Sequence, residues 1–254
     1  VRSTLEALGK QTYANFEVCV VSELAQAGLT DYEGIPKFRL VLFNGTAHEQ
    51  LKAAEKMLNG AYFLQLLPGD LPAPDALHML VLQTHANPEA EVVFADEDSV
   101  IDGIRQNPIF KPDYGRDTLR SFNSIGRPML VSKRVHTAVG GFRGSTPAEL
   151  WAYCIDCASA AKQVIHIARI GLTVIRDCDG SEIPCTDILK REFNSLYPGD
   201  GSEKKKRTSG YCFEGSVLGT LRMRYPRKRE PSVGIVIAGA DGVETGNSCY
   251  KFTG

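Results

Sequence analysis

The sequence predicts an α/β fold, a mainly parallel sheet flanked by helices, on three observations. Short apolar runs alternate with helix-length amphipathic stretches, and two of the predicted strands run out into acidic residues. The third is bulk: 43% of the 254 residues are hydrophobic, enough to bury a sizeable core.

Taken in order, Arg2-Ser3-Thr4-Leu5-Glu6-Ala7-Leu8 reads as a helix already under way, with Leu5 and Leu8 on one face. Glu17–Val21 is a buried strand, Phe38–Phe43 a second, His48–Leu58 a helix and Ala61–Leu67 a third strand ending at Pro68-Gly69-Asp70. Pro74-Asp75-Ala76-Leu77 opens a helix that runs to Ala86, with Asp75 in the first turn, where a carboxylate suits the dipole. Glu91–Ala95 is a strand delivering Asp96 at its carboxyl end, the place where ligands collect in such sheets. A helix from Glu149 to Ala161 carries Leu150, Trp151, Cys154 and Cys157 at core-facing spacing, and Gln163–Ile167 makes a short strand with His166 packed or solvated inside it. Beyond Arg176 the character changes. Gly199–Arg207 reads as a polar linker whose basic run faces water, Gly219–Tyr225 alternates like an edge strand, and Pro231–Ile237 is a plain buried strand.

Charge and cysteine content narrow the functional classes. With 29 basic and 30 acidic side chains, no overall field gathers the chain onto nucleic acid or an anionic surface. There is no apolar run of the roughly 18 residues a transmembrane helix needs and no signal-peptide pattern, so a cytoplasmic location is the expectation. Seven scattered cysteines argue for reduced thiols, and Cys154-Ile155-Asp156-Cys157 lacks the second ligand pair that zinc would require.

Five motifs in order carry a further signal: Gln11-Thr12-Tyr13-Ala14-Asn15-Phe16-Glu17, Phe94-Ala95-Asp96-Glu97-Asp98, Pro108-Ile109-Phe110-Lys111-Pro112-Asp113-Tyr114, Asn123-Ser124-Ile125-Gly126, and Val139-Gly140-Gly141-Phe142-Arg143-Gly144-Ser145. Together they resemble the family 2 glycosyltransferases of GT-A fold, especially tandem-domain proteins of rhamnan and O-antigen synthesis. The resemblance implies transfer of a sugar from a nucleoside diphosphate sugar to a polysaccharide acceptor, at the inner face of a bacterial membrane, beside an adjacent transferase domain. It also implies a division into a transferase-like unit over 1–198 that lacks the family's first strand, a basic linker and edge strand over 199–230, and the first strand of a following domain over 231–254.

Such transfer needs charge neutralisation on the leaving diphosphate and a base for the acceptor hydroxyl. The family holds Mg²⁺ or Mn²⁺ with a DxD motif, but here the line reads Leu67-Pro68-Gly69-Asp70, leaving Asp70 and Asp98 as metal ligands. The expected base position is Pro147, with Glu149 the nearest replacement, and the family's strand-end histidine is missing from Thr173-Val174-Ile175. Asp70, Asp96, Glu97 and Asp98 are the donor-side candidates; Lys111, Asp113 and Asn123 are the acceptor-side ones. Two further readings stay open: Asp96–Asp98 with Asp102 either meet a ligand or cap the following turn, and Lys111 and Asp113 either position an acceptor or pair with one another. Motif loss raises an alternative function, a catalytically inactive module that binds glycan or supports an active partner domain.

Overall fold

A computed structural model describes residues 1–23, 35, 37–175, 211–215, 220–224, 232 and 234. Helix α1 (Arg2–Gly9) forms on the predicted face, burying Thr4, Leu5 and Leu8. Strands β1 (Val18–Ser22) and β2 (Phe38–Leu42) pair in parallel, Val18 opposite Phe38. Helix α2 (Ala47–Glu55) starts at a capping box in which Thr46 and Glu49 satisfy each other's backbone N–H groups. The third predicted strand is shorter than expected, β3 (Tyr62–Leu64), because the chain turns at Leu67–Asp70 into β4 (Asp70–Pro72), a strand the sequence reading did not separate.

Helix α3 (Ala76–Ala86) follows, with Asp75 at its N-cap making no cap bond and instead accepting from Arg169 at 2.9 Å. Strand β5 (Ala90–Ile101) is far longer than Glu91–Ala95, and it returns as β6 (Ile104–Ile109) through a two-residue turn. Asp102 and Gly103 both have positive φ, 52° and 76°, the conformation a primed hairpin turn demands. Asp102 therefore belongs to that turn. Helix α4 (Arg116–Ser121), strand β7 (Met129–Ser132) and helix α5 (Lys133–Ala138) complete a region that the sequence left without elements. Helix α6 (Pro147–Ala160), strand β8 (Gln163–Ile175), and a small antiparallel pair of β9 (Tyr211–Glu214) and β10 (Leu221–Arg224) close the described chain. The predicted edge strand is β10; the Lys204–Arg207 run and 231–254, apart from Ser232 and Gly234, lie outside the described residues.

The α/β class holds, but strand directions are mixed rather than mainly parallel. The larger sheet runs β3-β7-β5-β8-β4, with β6 also on β5. Among the described residues β5–β8 and β1–β2 are parallel, whereas β3–β7, β7–β5, β8–β4 and β5–β6 are antiparallel. Of these pairs β5–β6 is joined by a two-residue turn, which only antiparallel neighbours allow.

Strand β5 is the spine. Val92 and Phe94 face a cluster with Leu119, Ile125, Val131 and Trp151, while Val93 and Ala95 face Met79, Leu80 and Leu130. All four β5 residues are fully buried, so the strand reads as continuously apolar, each large side chain contributing about 1.5–3 kcal/mol. Trp151 is core, as its spacing predicts, and its indole N–H donates to Leu119 O at 2.5 Å.

Candidate functional site

Asp96, Glu97 and Asp98 do not sit at the end of a strand. They lie in the middle of β5, opposite Ile170, Leu172 and Thr173 of β8, with register shifts on both sides of Asp96. Carboxylates survive in a strand interior only when compensated, and each of these is. Asp96, 2% exposed, accepts from the Lys111 backbone N–H and lies 2.8 Å from His166 Nε2. Glu97 Oε2 is 3.1 Å from Lys111 Nζ. Asp98, 5% exposed, receives Arg105 Nε and Nη2 on Oδ2 at 2.8 and 2.7 Å, while its buried Oδ1 has no partner.

Asp70 is the most enclosed of the set, 1% exposed at the start of β4. Its Oδ2 accepts from Leu67 N at 2.8 Å, closing the Leu67–Asp70 turn, and both oxygens take the guanidinium of Arg127 at 2.8 and 3.1 Å. This planar fork matches a carboxylate and leaves little of it for another cation. Lys111 is equally committed. Its Nζ donates to Ala95 O, Glu97 Oε2 and Arg127 O at 2.8, 3.1 and 2.7 Å, using all three donors. Burial pushes its ammonium below the ordinary lysine range, with the Glu97 carboxylate opposing that shift. Lys111 and Asp113 do not pair with one another: Lys111 is buried against β5, and Asp113 is exposed and lies 3.3 Å from His166 Nδ1.

The remaining candidates serve local structure. Asn123 Oδ1 accepts from Gly126 N at 3.0 Å, shaping the turn ahead of Arg127. Glu149 is the third residue of α6, and its Oε2 accepts from Thr146 N and Oγ1 at 3.1 and 2.8 Å in a second capping box. Cys154 and Cys157 are buried, and burial pushes the Cys154 thiol up to about 12 and the Cys157 thiol higher still, far from a reactive thiolate.

Whether these residues fit a divalent cation follows from their donor sets. Such an ion wants about six oxygen ligands, yet Asp70 and Asp98 are each turned onto a guanidinium. No group of three or more His, Cys, Asp or Glu among the described residues is arranged to hold a metal. The residues present do not fit the ion.

Two features escaped the sequence reading. Arg127 is one; the signal was a buried strand-start aspartate needing a cation, together with an arginine directly after Gly126. The other is a buried group formed by Glu55, His136 and Tyr153. His136 Nδ1 lies 2.6 Å from Tyr153 Oη, its ring stacks on Phe63 at 4.3 Å, and its Nε2 is 3.3 Å from Glu55. Burial pushes Glu55 up, but His136, Lys52 and the Phe142 N–H outweigh it and hold the carboxyl at about 2. Glu55 and Lys52 thereby grip the Gly140–Phe142 turn. At Gly141, φ +82°, an added Cβ would lie 2.5 Å from Glu55 Oε1, which is why the motif carries glycine there.

No protein-family model matches the chain. It is 29% identical over 253 residues to the uncharacterised protein y4gI of Sinorhizobium fredii, a match covering 93% of this chain and 28% of that one. It is 36% identical over 176 residues to the O-antigen biosynthesis protein RfbC of Myxococcus xanthus, covering 66% of this chain and 13% of that one. The chain thus spans less than a third of the length of either curated relative. Among solved structures it is similar to S. aureus TarS residues 1–349, with a TM-score of 0.59 and 14% identity over 82% of this chain and 64% of that one. The same TarS segment in complex with UDP gives 0.58 and 15% over the same shares. Among the described residues no helix is long and apolar enough to cross a membrane.

Proposed function

From the GT-A type glycosyltransferase fold that this chain has, we propose that it is a transferase-type domain of polysaccharide assembly whose catalytic acids have become internal ion-pair partners. It acts as a non-transferring module that binds glycan or sugar nucleotide and supports an active domain. One observation carries the reading: Asp70, Asp96, Glu97 and Asp98 are each engaged by a cationic or ring-nitrogen partner of the same chain, which competes with any metal for these carboxylates. The O-antigen biosynthesis relative supports the pathway class, and the UDP complex of a structure with the same fold supports a nucleoside diphosphate sugar as ligand class. Both curated relatives are several times longer, which supports work beside further domains of one polypeptide.

A transferring domain is the second reading, favoured by Glu149, whose Oε1 carries none of the capping-box bonds. It makes Glu149 the base for the acceptor hydroxyl. Thermal-shift titration with a panel of nucleoside diphosphate sugars, with and without Mn²⁺, separates the two when combined with a nucleotide-release assay. The proposal expects any donor stabilisation to follow RT ln(1 + [L]/Kd), to be indifferent to Mn²⁺, and to come without nucleotide release. Mn²⁺-dependent release that Glu149→Gln abolishes would overturn it and establish the second reading.

A further inference from the structure

Asp70 and Glu97 share a face of the sheet. Asp70 lies opposite Val174 of β8, which lies opposite Ser99 of β5, and Glu97 is two residues back along β5. Two cations tie this face across the strands: Arg127 forks onto Asp70, and Lys111 Nζ joins Glu97 Oε2 to the carbonyl oxygen of Arg127. Asp98 lies opposite Thr173, one residue away from Val174, so it points to the other face and takes Arg105 with it. On the Asp70 face the guanidinium at issue is that of Arg127.

The way Arg127 is held leaves one of its edges unused. Nε and Nη2 donate to Oδ2 and Oδ1 of Asp70 at 2.8 and 3.1 Å, which is the side-on edge of the guanidinium. A guanidinium carries five N–H donors, and the end-on edge formed by Nη1 and the second N–H of Nη2 is a fork of the same kind. Among the described residues nothing accepts from that second edge. The unpartnered Nη1 is not a buried atom, and the Arg127 side chain is 21% exposed against 1% for Asp70, so the carboxylate lies behind and the arginine meets solvent. Asp70 holds the guanidinium and Lys111 holds the carbonyl of the same residue, which fixes the fork in advance and spares a ligand the cost of ordering a long side chain. Asp70 and Glu97 cancel the charges of Arg127 and Lys111, so the site attracts an anion through two directed, charge-assisted hydrogen bonds and suits a pair of phosphate oxygens.

We propose that Arg127 stands in for a divalent cation, receiving the diphosphate of a nucleoside diphosphate on its free fork while Asp70 holds it from behind. The misfit of these carboxylates to an ion then has a physical reason, since the cation of the site is a side chain of the protein. Arg127 touches the ligand, and Asp70 is a positioning residue. The ligand class rests on the functional reading above; the fork itself does not.

Binding of UDP and of inorganic pyrophosphate is measured by isothermal titration calorimetry in EDTA on the full chain, on Asp70→Asn and on the double variant Asp70→Asn with Arg127→Met. The double variant strands no buried charge, and circular dichroism checks that all three chains are folded. The parent should bind both probes without metal. Asp70→Asn should bind about threefold tighter or more, because the negative charge behind the fork is gone. The double variant should bind about tenfold weaker than Asp70→Asn, having lost a charge-assisted bidentate contact. Arg169→Gln removes an equal charge from a surface pair with Asp75 and should bind like the parent. Binding that needs Mn²⁺ and disappears in Asp70→Asn would make Asp70 a metal ligand and overturn the proposal; should the double variant fail to fold, this comparison still decides. No binding of either probe overturns it as well. Binding in EDTA that the double variant retains would put the probes elsewhere, overturning the proposal while the non-transferring reading stands. Nucleotide release from a nucleoside diphosphate sugar in EDTA, lost both in Glu149→Gln and in the double variant, would end the non-transferring reading and uphold Arg127.

Discussion

Replacing Lys111 by methionine keeps most of the side-chain stem and deletes three hydrogen bonds at once. In the parent, Nζ serves Ala95 O, Glu97 Oε2 and Arg127 O, and the residue is 7% exposed. Its loss leaves the Glu97 carboxylate, 15% exposed, without its cation and two carbonyls without that donor. Breaking one side of a buried pair costs about 3–5 kcal/mol, chiefly the penalty of the charge left behind. For a chain of this size about 4 kcal/mol corresponds to a fall in Tm of about 8–16 °C. Glu97→Gln in the same background removes the stranded charge and should return about 1–3 kcal/mol, leaving the carbonyls unsatisfied. Urea unfolding followed by circular dichroism, with the slope m held common, measures both steps. A loss below about 1 kcal/mol for Lys111→Met, or no recovery in the double variant, would refute the view that Lys111 is spent on structure.

The acid limb of the stability curve should carry the mark of Glu55. Its folded value of about 2 lies below the ordinary 4.5, so its contribution is full above pH 4.5 and drains away as pH falls toward 2. The bound is about 3 kcal/mol, less after solvent screening, and Glu55→Gln should flatten that limb; an unchanged slope counts against it. Thr146→Ala removes the α6 capping box and should cost about 1 kcal/mol, with faster amide exchange confined to the first turn of the helix. Gly141→Ala forces a side chain into positive φ beside Glu55 and Lys52 and should lower stability by more than about 1 kcal/mol in thermal unfolding.

Sequence periodicity identified α1, β1, β2, α2, α3, α6 and β10 close to their observed places, because local hydrophobic spacing is enough to mark a face. It stopped β5 at Ala95, since Asp96-Glu97-Asp98 looks like the end of an apolar run. The Asp102-Gly103 dipeptide was the available signal that the strand continues into a hairpin. Elements α4, β7 and α5 were missed because each is six residues or shorter, too brief to display a period.

By itself the sequence determined the order of the longer elements, the residue types at the site and the motifs that tie them to a glycosyltransferase ancestry. Only the tertiary structure decided what those residues do, because a carboxylate's role depends on which charge lies within about 4 Å and not on its neighbours in the chain. Arg127 meets Asp70 across 57 positions, and His166 meets Asp96 across 70. Those pairings, made by folding alone, tie these carboxylates into the framework of the sheet.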